Sequence, residues 1–305
     1  MDINRKNLDA LFKGFNTQFM EGFSSAPDTW RKFAGEVQSS SATSVYPFLE
    51  QLGGMREWVG DRQIKNIASH KIEVVNRDFE DTVSVSRNDI EDDQYGIYGT
   101  LVSQMGFSAA KLWQDIAVSA LLNPGAWIDG LNFFSASRAY GSNTILNASS
   151  AALDATSYAA ARKAMMEYKG HNDRYLGVAP NLLIVGPELE ATAFRILKDR
   201  MQISFAASGS TTGYGATDNP WAESASYLVV PELSGSNAAT WFLAATTGVA
   251  KPVIVQQRKR PTLTRLDRET DENVFNRREY IYGTDARGEA FLAFPHLLYR
   301  GGATV

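Results

Sequence analysis

Apolar positions recur three or four residues apart between Asn7 and Phe23, at Leu8, Leu11, Phe12, Phe15, Phe19 and Phe23. That spacing predicts a helix with an aromatic stripe. A polar, serine-rich stretch from Gln38 to Ser44 follows it. The stripe has two possible uses: packing on its own domain, or burial on another subunit as an arm. Beyond Arg56 the period shortens to two. Lys71–Val74 alternates, and Thr82–Ser86 alternates again, as the arms of a half-exposed antiparallel hairpin do. Such a hairpin has too little apolar surface to stand alone, so something must lie beneath it.

The strongest helix signal comes next. Ile97, Leu101, Met105, Ala109, Leu112, Ile116 and Ala120 form a stripe at steps of three and four. Asp92 and Asp93 offer carboxylates to cap its start, and Asn123-Pro124-Gly125 stops it. A helix over Tyr95–Leu122 would be roughly 42 Å long at ~1.5 Å per residue, which is long for a globular chain. The region after it reads as α/β. Asp154 or Thr156 caps a helix running to Lys169, with Gly170 as its stop. Leu182–Val185, Tyr227–Val230 and Trp241–Ala245 are continuous apolar runs, which predict buried strands. Gly186-Pro187-Glu188 turns the first of them into a helix carrying Leu189, Ala193, Ile196 and Leu197 inward. Ala206–Asn219, rich in Gly, Ser and Thr, predicts a mobile loop. The tail returns to long strands. Pro252–Gln257 runs out through a basic stretch (Arg258, Lys259, Arg260, Arg265, Arg268), and Val274–Tyr282 runs back after a charged turn at Arg268–Glu272.

Composition narrows the chemistry. The chain has 305 residues, no cysteine and three histidines, His70, His171 and His296. Its length suggests two domains. The lack of cysteine removes disulfides, thiol nucleophiles and Cys-based zinc sites. With histidines about a hundred residues apart, packing or surface roles are expected of each. Thirty basic against 34 acidic side chains give a net charge of −4, which does not suit a surface that coats nucleic acid. The N-terminus lacks the apolar core of a secretory signal, and no run is long enough to span a bilayer.

Active-site patterns are missing as well. Gly209–Gly215 is glycine-rich but lacks the Lys of a phosphate-cradling loop and follows no strand directly. No Gly-x-Ser-x-Gly elbow occurs, and the strand-to-helix turn at Gly186-Pro187 carries no nucleophile. The Glu91-Asp92-Asp93 cluster reads as helix capping rather than as a cation site or an acid/base pair. The basic stretch lacks interleaved aromatics for base stacking, so pairing with acidic surfaces of neighbouring subunits is at least as plausible. Catalytic, cofactor-binding and metal-binding residues are therefore expected to be absent.

An ordered series of segments is nevertheless specific. Trp58-Val59-Gly60-Asp61-Arg62 is followed by Asn76-Arg77-Asp78-Phe79-Glu80-Asp81-Thr82-Val83 and Ile90-Glu91-Asp92-Asp93. Gly96-Ile97-Tyr98, Met105-Gly106, Asn132-Phe133-Phe134, Pro180–Leu189 and Lys251–Gln256 complete it. In this order the segments resemble the major head subunit of Mu-like tailed bacteriophages. The resemblance runs from about Leu8 to Tyr299. It implies an α+β chain with the Hong Kong 97-type phage capsid fold. The implied parts are an N-terminal arm (1–55), an extended hairpin or E-loop (56–87), a peripheral domain with a long spine helix (88–135 and 251–285) and an axial α/β domain (136–250 and 286–305).

The implied function is structural: pentamers and hexamers of this chain closing an icosahedral shell around double-stranded DNA, without enzymatic activity. Phe12, Phe15, Phe19 and Trp58 are the expected apolar contacts between subunits. Arg62, Lys71, Arg77, Asp78 and Glu80 are expected to fix register against a neighbour, as rim charges do. Implied partners are a separate scaffolding protein, a protease, a portal and an optional decoration protein, with weak, sequence-independent DNA contact and no membrane. The implied location is the virion, assembled in the bacterial host cytoplasm. Lys65, Lys71 and Asn66 lie on the hairpin, but covalent Lys–Asn sealing is not expected. A non-viral nanocompartment shell shares the fold and is the alternative; an α/β enzyme is a remoter one.

Overall fold

The computed structural model describes residues 5–49, 69–92, 96–140, 142–170, 173–204, 215–248 and 250–302. The first part of the chain forms α1 (Arg5–Ser25), β1 (Ala34–Gln38), β2 (Thr43–Leu49), β3 (Ser69–Val75), β4 (Arg77–Ser86), α2 (Arg87–Asp92) and α3 (Ile97–Leu122). The middle part adds β5 (Arg138–Tyr140), β6 (Asn143–Ile145), α4 (Ala155–Met166), β7 (Leu182–Val185), α5 (Glu190–Leu197), β8 (Met201–Ser204), β9 (Gly215–Asp218), β10 (Ser226–Val229) and β11 (Trp241–Ala244). The chain returns through β12 (Val253–Leu266), α6 (Glu272–Arg277), β13 (Glu279–Leu292) and β14 (Leu298–Gly301).

Two four-stranded sheets organise these elements, in the orders β1-β12-β13-β4 and β10-β7-β11-β14. In the first sheet β1 runs parallel to β12 and the other pairs are antiparallel. Its long strands follow a period of two: Tyr280, Tyr282, Thr284, Ala286, Ala290 and Leu292 of β13 are buried. Pro261 has no N–H to give to a ladder, and β12 breaks register around it, beyond the stretch that β1 covers. The second sheet is covered on both faces. Leu182, Ile184, Phe242, Ala244 and Leu298 join the core shared with α3, whereas Leu183, Val185, Trp241, Leu243 and Tyr299 face the core built with α4 and α5. Burial on both faces explains why these strands are continuous apolar runs rather than alternating ones. A third apolar cluster joins α1, the first half of α3, α2, α6 and the far ends of β12 and β13.

The structure corrects several expectations. Lys71–Val74 and Thr82–Ser86 are not arms of one hairpin. β3 pairs with β2 as a two-stranded ribbon, and β4 is the edge strand beside β13. Local alternation identifies a strand but carries no information about its partner. The long helix starts at Ile97, after Gly96 in the left-handed region at φ 66°, with no side-chain cap; Asp92 instead closes the separate helix α2, and Asp93 lies outside the described residues. The stripe at steps of four also drifts, because four residues turn a helix through about 40° more than a full circle. Ile97 and Leu101 are consequently exposed, while Val102, Met105, Trp113, Ile116, Ala117 and Leu121 are buried. α4 ends at Met166 rather than Lys169, and Asp154 with Ser157 forms its capping box. Val274–Arg277 is helical, within α6, not strand.

Candidate assembly surfaces

The expected subunit contacts at the N-terminus are used inside the chain. Phe15 and Phe19 are buried between α1 and its own neighbours, with the Phe15 ring edge-on to Tyr282 at 5.1 Å. Their place in the chain's own core corrects the expectation that they face another copy: α3 and the ends of β12 and β13 supply the apolar surface the stripe needs. Phe12 is partly buried, with the Arg265 guanidinium 4.4 Å from its ring centre. Arg265 also binds Asp9 at 2.6 Å and Asp267 at 3.2 Å. The hydrogen bond from Arg265 holds the Asp9 carboxyl below its usual range. Burial, by contrast, raises Asp267. This triad ties the start of α1 to the end of β12.

The charged residues of β4 likewise find partners on their own sheet. Arg77 donates to Glu289 at 2.8 Å and lies over the Phe79 ring, and Asp78 pairs with Arg287 at 3.0 Å. The register explains it, because Arg287 stands opposite Asp78. Arg77 and Asp78 thus help fix the register of β4 on β13 within the chain, and both side chains remain largely exposed. Glu80 accepts from the Thr82 hydroxyl and is exposed, and Lys71 is exposed on β3. Trp58, Arg62, Lys65 and Asn66 lie outside the described residues, as do His171 and most of the Gly/Ser/Thr-rich loop; the last part of that loop forms β9, which pairs with β8 just before the loop.

The basic stretch is also partnered internally. Lys259 pairs with Asp285, Arg260 with Glu36 at 2.9 Å, and Arg258 donates to the Ser39 carbonyl. Burial works against the charge of Glu36, but hydrogen bonds from Arg31 and Arg260 outweigh it and keep the carboxyl below its usual range. The sequence could not announce this pairing, since Glu36 lies 224 positions from Arg260.

Apolar surface remains exposed elsewhere. The β2–β3 ribbon has Val45 and Val75 outward, 53% and 60% exposed, while Val74 is buried and Ile72 packs on the core. A groove of about 450 Å³ lies beside the ribbon's root, lined by Ile72, Val75, Trp127, Ile128, Phe291 and Leu292 among others. On α6, Phe275 is 82% exposed. The sequence pattern did not single it out because it places Phe275 in the returning strand Val274–Tyr282, where the structure has the helix α6. Among the described residues no group of three or more His, Asp or Glu could hold a metal ion, and no helix is long and apolar enough to cross a membrane.

Comparison with known proteins agrees with this picture of surfaces rather than a reactive site. A family model for the Mu-like prophage major head subunit gpT matches residues 8–144, and one for phage capsid protein matches residues 77–292. The chain is 26% identical over 289 residues to the Mu-like prophage FluMu major head subunit of Haemophilus influenzae, covering 94% of this chain and 70% of that protein. It is 25% identical over 297 residues to the major capsid protein of Escherichia phage Mu, covering 96% and 73%. Among solved structures, the procapsid of bacteriophage JBD30 superposes with a TM-score of 0.57 at 26% identity, covering 99% of this chain and 77% of that one.

Proposed function

The chain belongs to the phage capsid protein family as a major capsid subunit of the Mu-like type, and from that premise we propose that its β2–β3 ribbon is the element that reaches a neighbouring copy. The fold is the Hong Kong 97-type, and the protein is a structural subunit of multi-subunit icosahedral shells, not an enzyme. The observation that carries the ribbon reading is its pairing. Among the described residues these seven-residue strands pair only with each other, rise about 23 Å at ~3.3 Å per residue, and make a two-stranded element that is marginal without a surface beneath it. Ile72 and Val74 seat its root on the body, and Val45 and Val75 point outward. A neighbour supplies the missing surface.

On the same reading the first sheet with α3 is the peripheral part and the second sheet with α4 and α5 the axial part, gathered at fivefold and sixfold centres. Contacts of this heterologous kind close into rings. With exposed ion pairs contributing under ~1 kcal/mol each, apolar burial by the ribbon and by knobs such as Phe275 supplies most of the cohesion. The net charge of −4 supports weak, non-specific contact with packaged DNA. A separate scaffolding protein, a protease, a portal and an optional decoration protein complete the assembly, which takes place in the host cytoplasm.

Expression of the full chain, alone and with a scaffolding partner, followed by light scattering and electron microscopy, tests this reading. Closed shells are expected; a strictly monomeric protein under both conditions would overturn it.

A further inference from the structure

Only one residue separates β3, which belongs to the ribbon, from β4, which belongs to the first sheet. That residue, Asn76, is 5% exposed. Its Nδ2 donates to the Ser39 hydroxyl at 3.2 Å and to the carbonyls of Ser41 and Ala42 at 2.9 and 3.1 Å. Its backbone N–H also reaches the Ala42 carbonyl. With its amide nitrogen facing three acceptors, its Oδ1 must face a donor. That donor is the Nε2 of Gln256, at 2.6 Å. Gln256 is fully buried in β12, and its Oε1 accepts from the Tyr46 hydroxyl on β2 at 2.6 Å. The Tyr46 ring lies 5.0 Å from that of Phe291.

The chain of bonds therefore joins three things: the segment leading into β2, β2 itself through Tyr46, and β12 of the first sheet. Both strands of the ribbon are tied at the root to one buried glutamine. A buried amide pair left half-satisfied is costly, so this arrangement favours one direction for the ribbon over others that would open it. Burial and full use of its polar atoms distinguish Asn76 from an ordinary loop asparagine, whose amide water would satisfy.

We propose that Asn76, Gln256 and Tyr46 form a latch that sets the direction in which the β2–β3 ribbon leaves the body, and thereby the curvature of the shell. They are positioning residues: they hold the element that makes the contact and do not make the contact themselves. The inference rests on the reading of the ribbon as the reaching element, and deepens it.

Tyr46→Phe keeps the ring on Phe291 and removes only the hydroxyl; Asn76→Ala removes the hub. Amide hydrogen exchange of the full-length unassembled subunit reads the latch directly. At least a tenfold faster exchange is expected in β2 and β3 of Tyr46→Phe, with α3, β12 and β13 unchanged. Assembled particles are expected to be fewer and of mixed diameter by electron microscopy. Unchanged exchange in the ribbon overturns the latch. Faster exchange with wild-type yield and a single wild-type diameter overturns its role in curvature. If Asn76→Ala does not fold, Tyr46→Phe alone decides. If the wild-type chain forms no shells, the ribbon reading fails while the exchange result still decides whether the latch exists.

Discussion

His296 lies buried at 6% exposure beside Phe294, and burial pushes its pKa down from 6.5 to about 4. The folded chain keeps the ring neutral, so acid favours the unfolded chain. The stability that this group contributes is present above pH ~6.5 and is lost as the pH falls toward 4, on the order of 3 kcal/mol in all. His296→Leu should flatten the dependence of melting temperature on pH across that window, measured by thermal unfolding from pH 7 to 4; an unchanged slope would refute it. Packing of this histidine was legible from the sequence only as the commoner role of an isolated His. Arg138 was not legible at all. It is 1% exposed, pairs with Asp129, donates to the Asn132 and Phe133 carbonyls, and lies 4.7 Å from the Trp127 ring centre. Nothing in an arginine between Ser137 and Ala139 indicates that a loop will fold around it.

Between elements, the crossing of α1 on α3 depends on two glycines. A Cβ at Gly106 would overlap the Phe19 carbonyl, and one at Gly22 would overlap the Ser103 carbonyl. The helices approach backbone to backbone, and that approach brings Phe15 and Phe19 into the core. Gly106→Ala should cost about 2 kcal/mol by overpacking and expose α1 to limited proteolysis; wild-type protection would contradict this account. Phe19→Ala, which empties a site of 0% exposure, should lower stability by about 3–5 kcal/mol in the unassembled subunit, measured by urea unfolding. No change there, with a defect only in assembly, would return Phe19 to a contact between copies. The aromatic stripe made the helix legible. Its choice of partner rested on glycines whose effect is steric and becomes visible only when α3 is in place.

For the whole molecule, the exposed surface carries the function. Phe275 on α6 is a large apolar side chain left 82% exposed, and on the proposed reading a neighbouring copy covers it. Phe275→Ser should leave the melting temperature unchanged within about a degree and lower the yield of shells several-fold, read by sedimentation; an undiminished yield would remove this knob from the assembly contacts. The sequence by itself determined the elements whose cause is local: the aromatic helix, the long helix and its stop at Asn123-Pro124-Gly125, the three buried apolar strands and the lack of cysteine chemistry. It also determined the family, because the ordered segments from Trp58 to Gln256 resemble Mu-like head subunits. The tertiary structure alone decided strand partners, the direction of the α3 stripe and which charges remain outward. Each of these depends on residues tens to hundreds of positions apart, as in Arg260 with Glu36 or Asn76 with Gln256. Periodicity reports which face of an element is apolar; only packing selects what covers it.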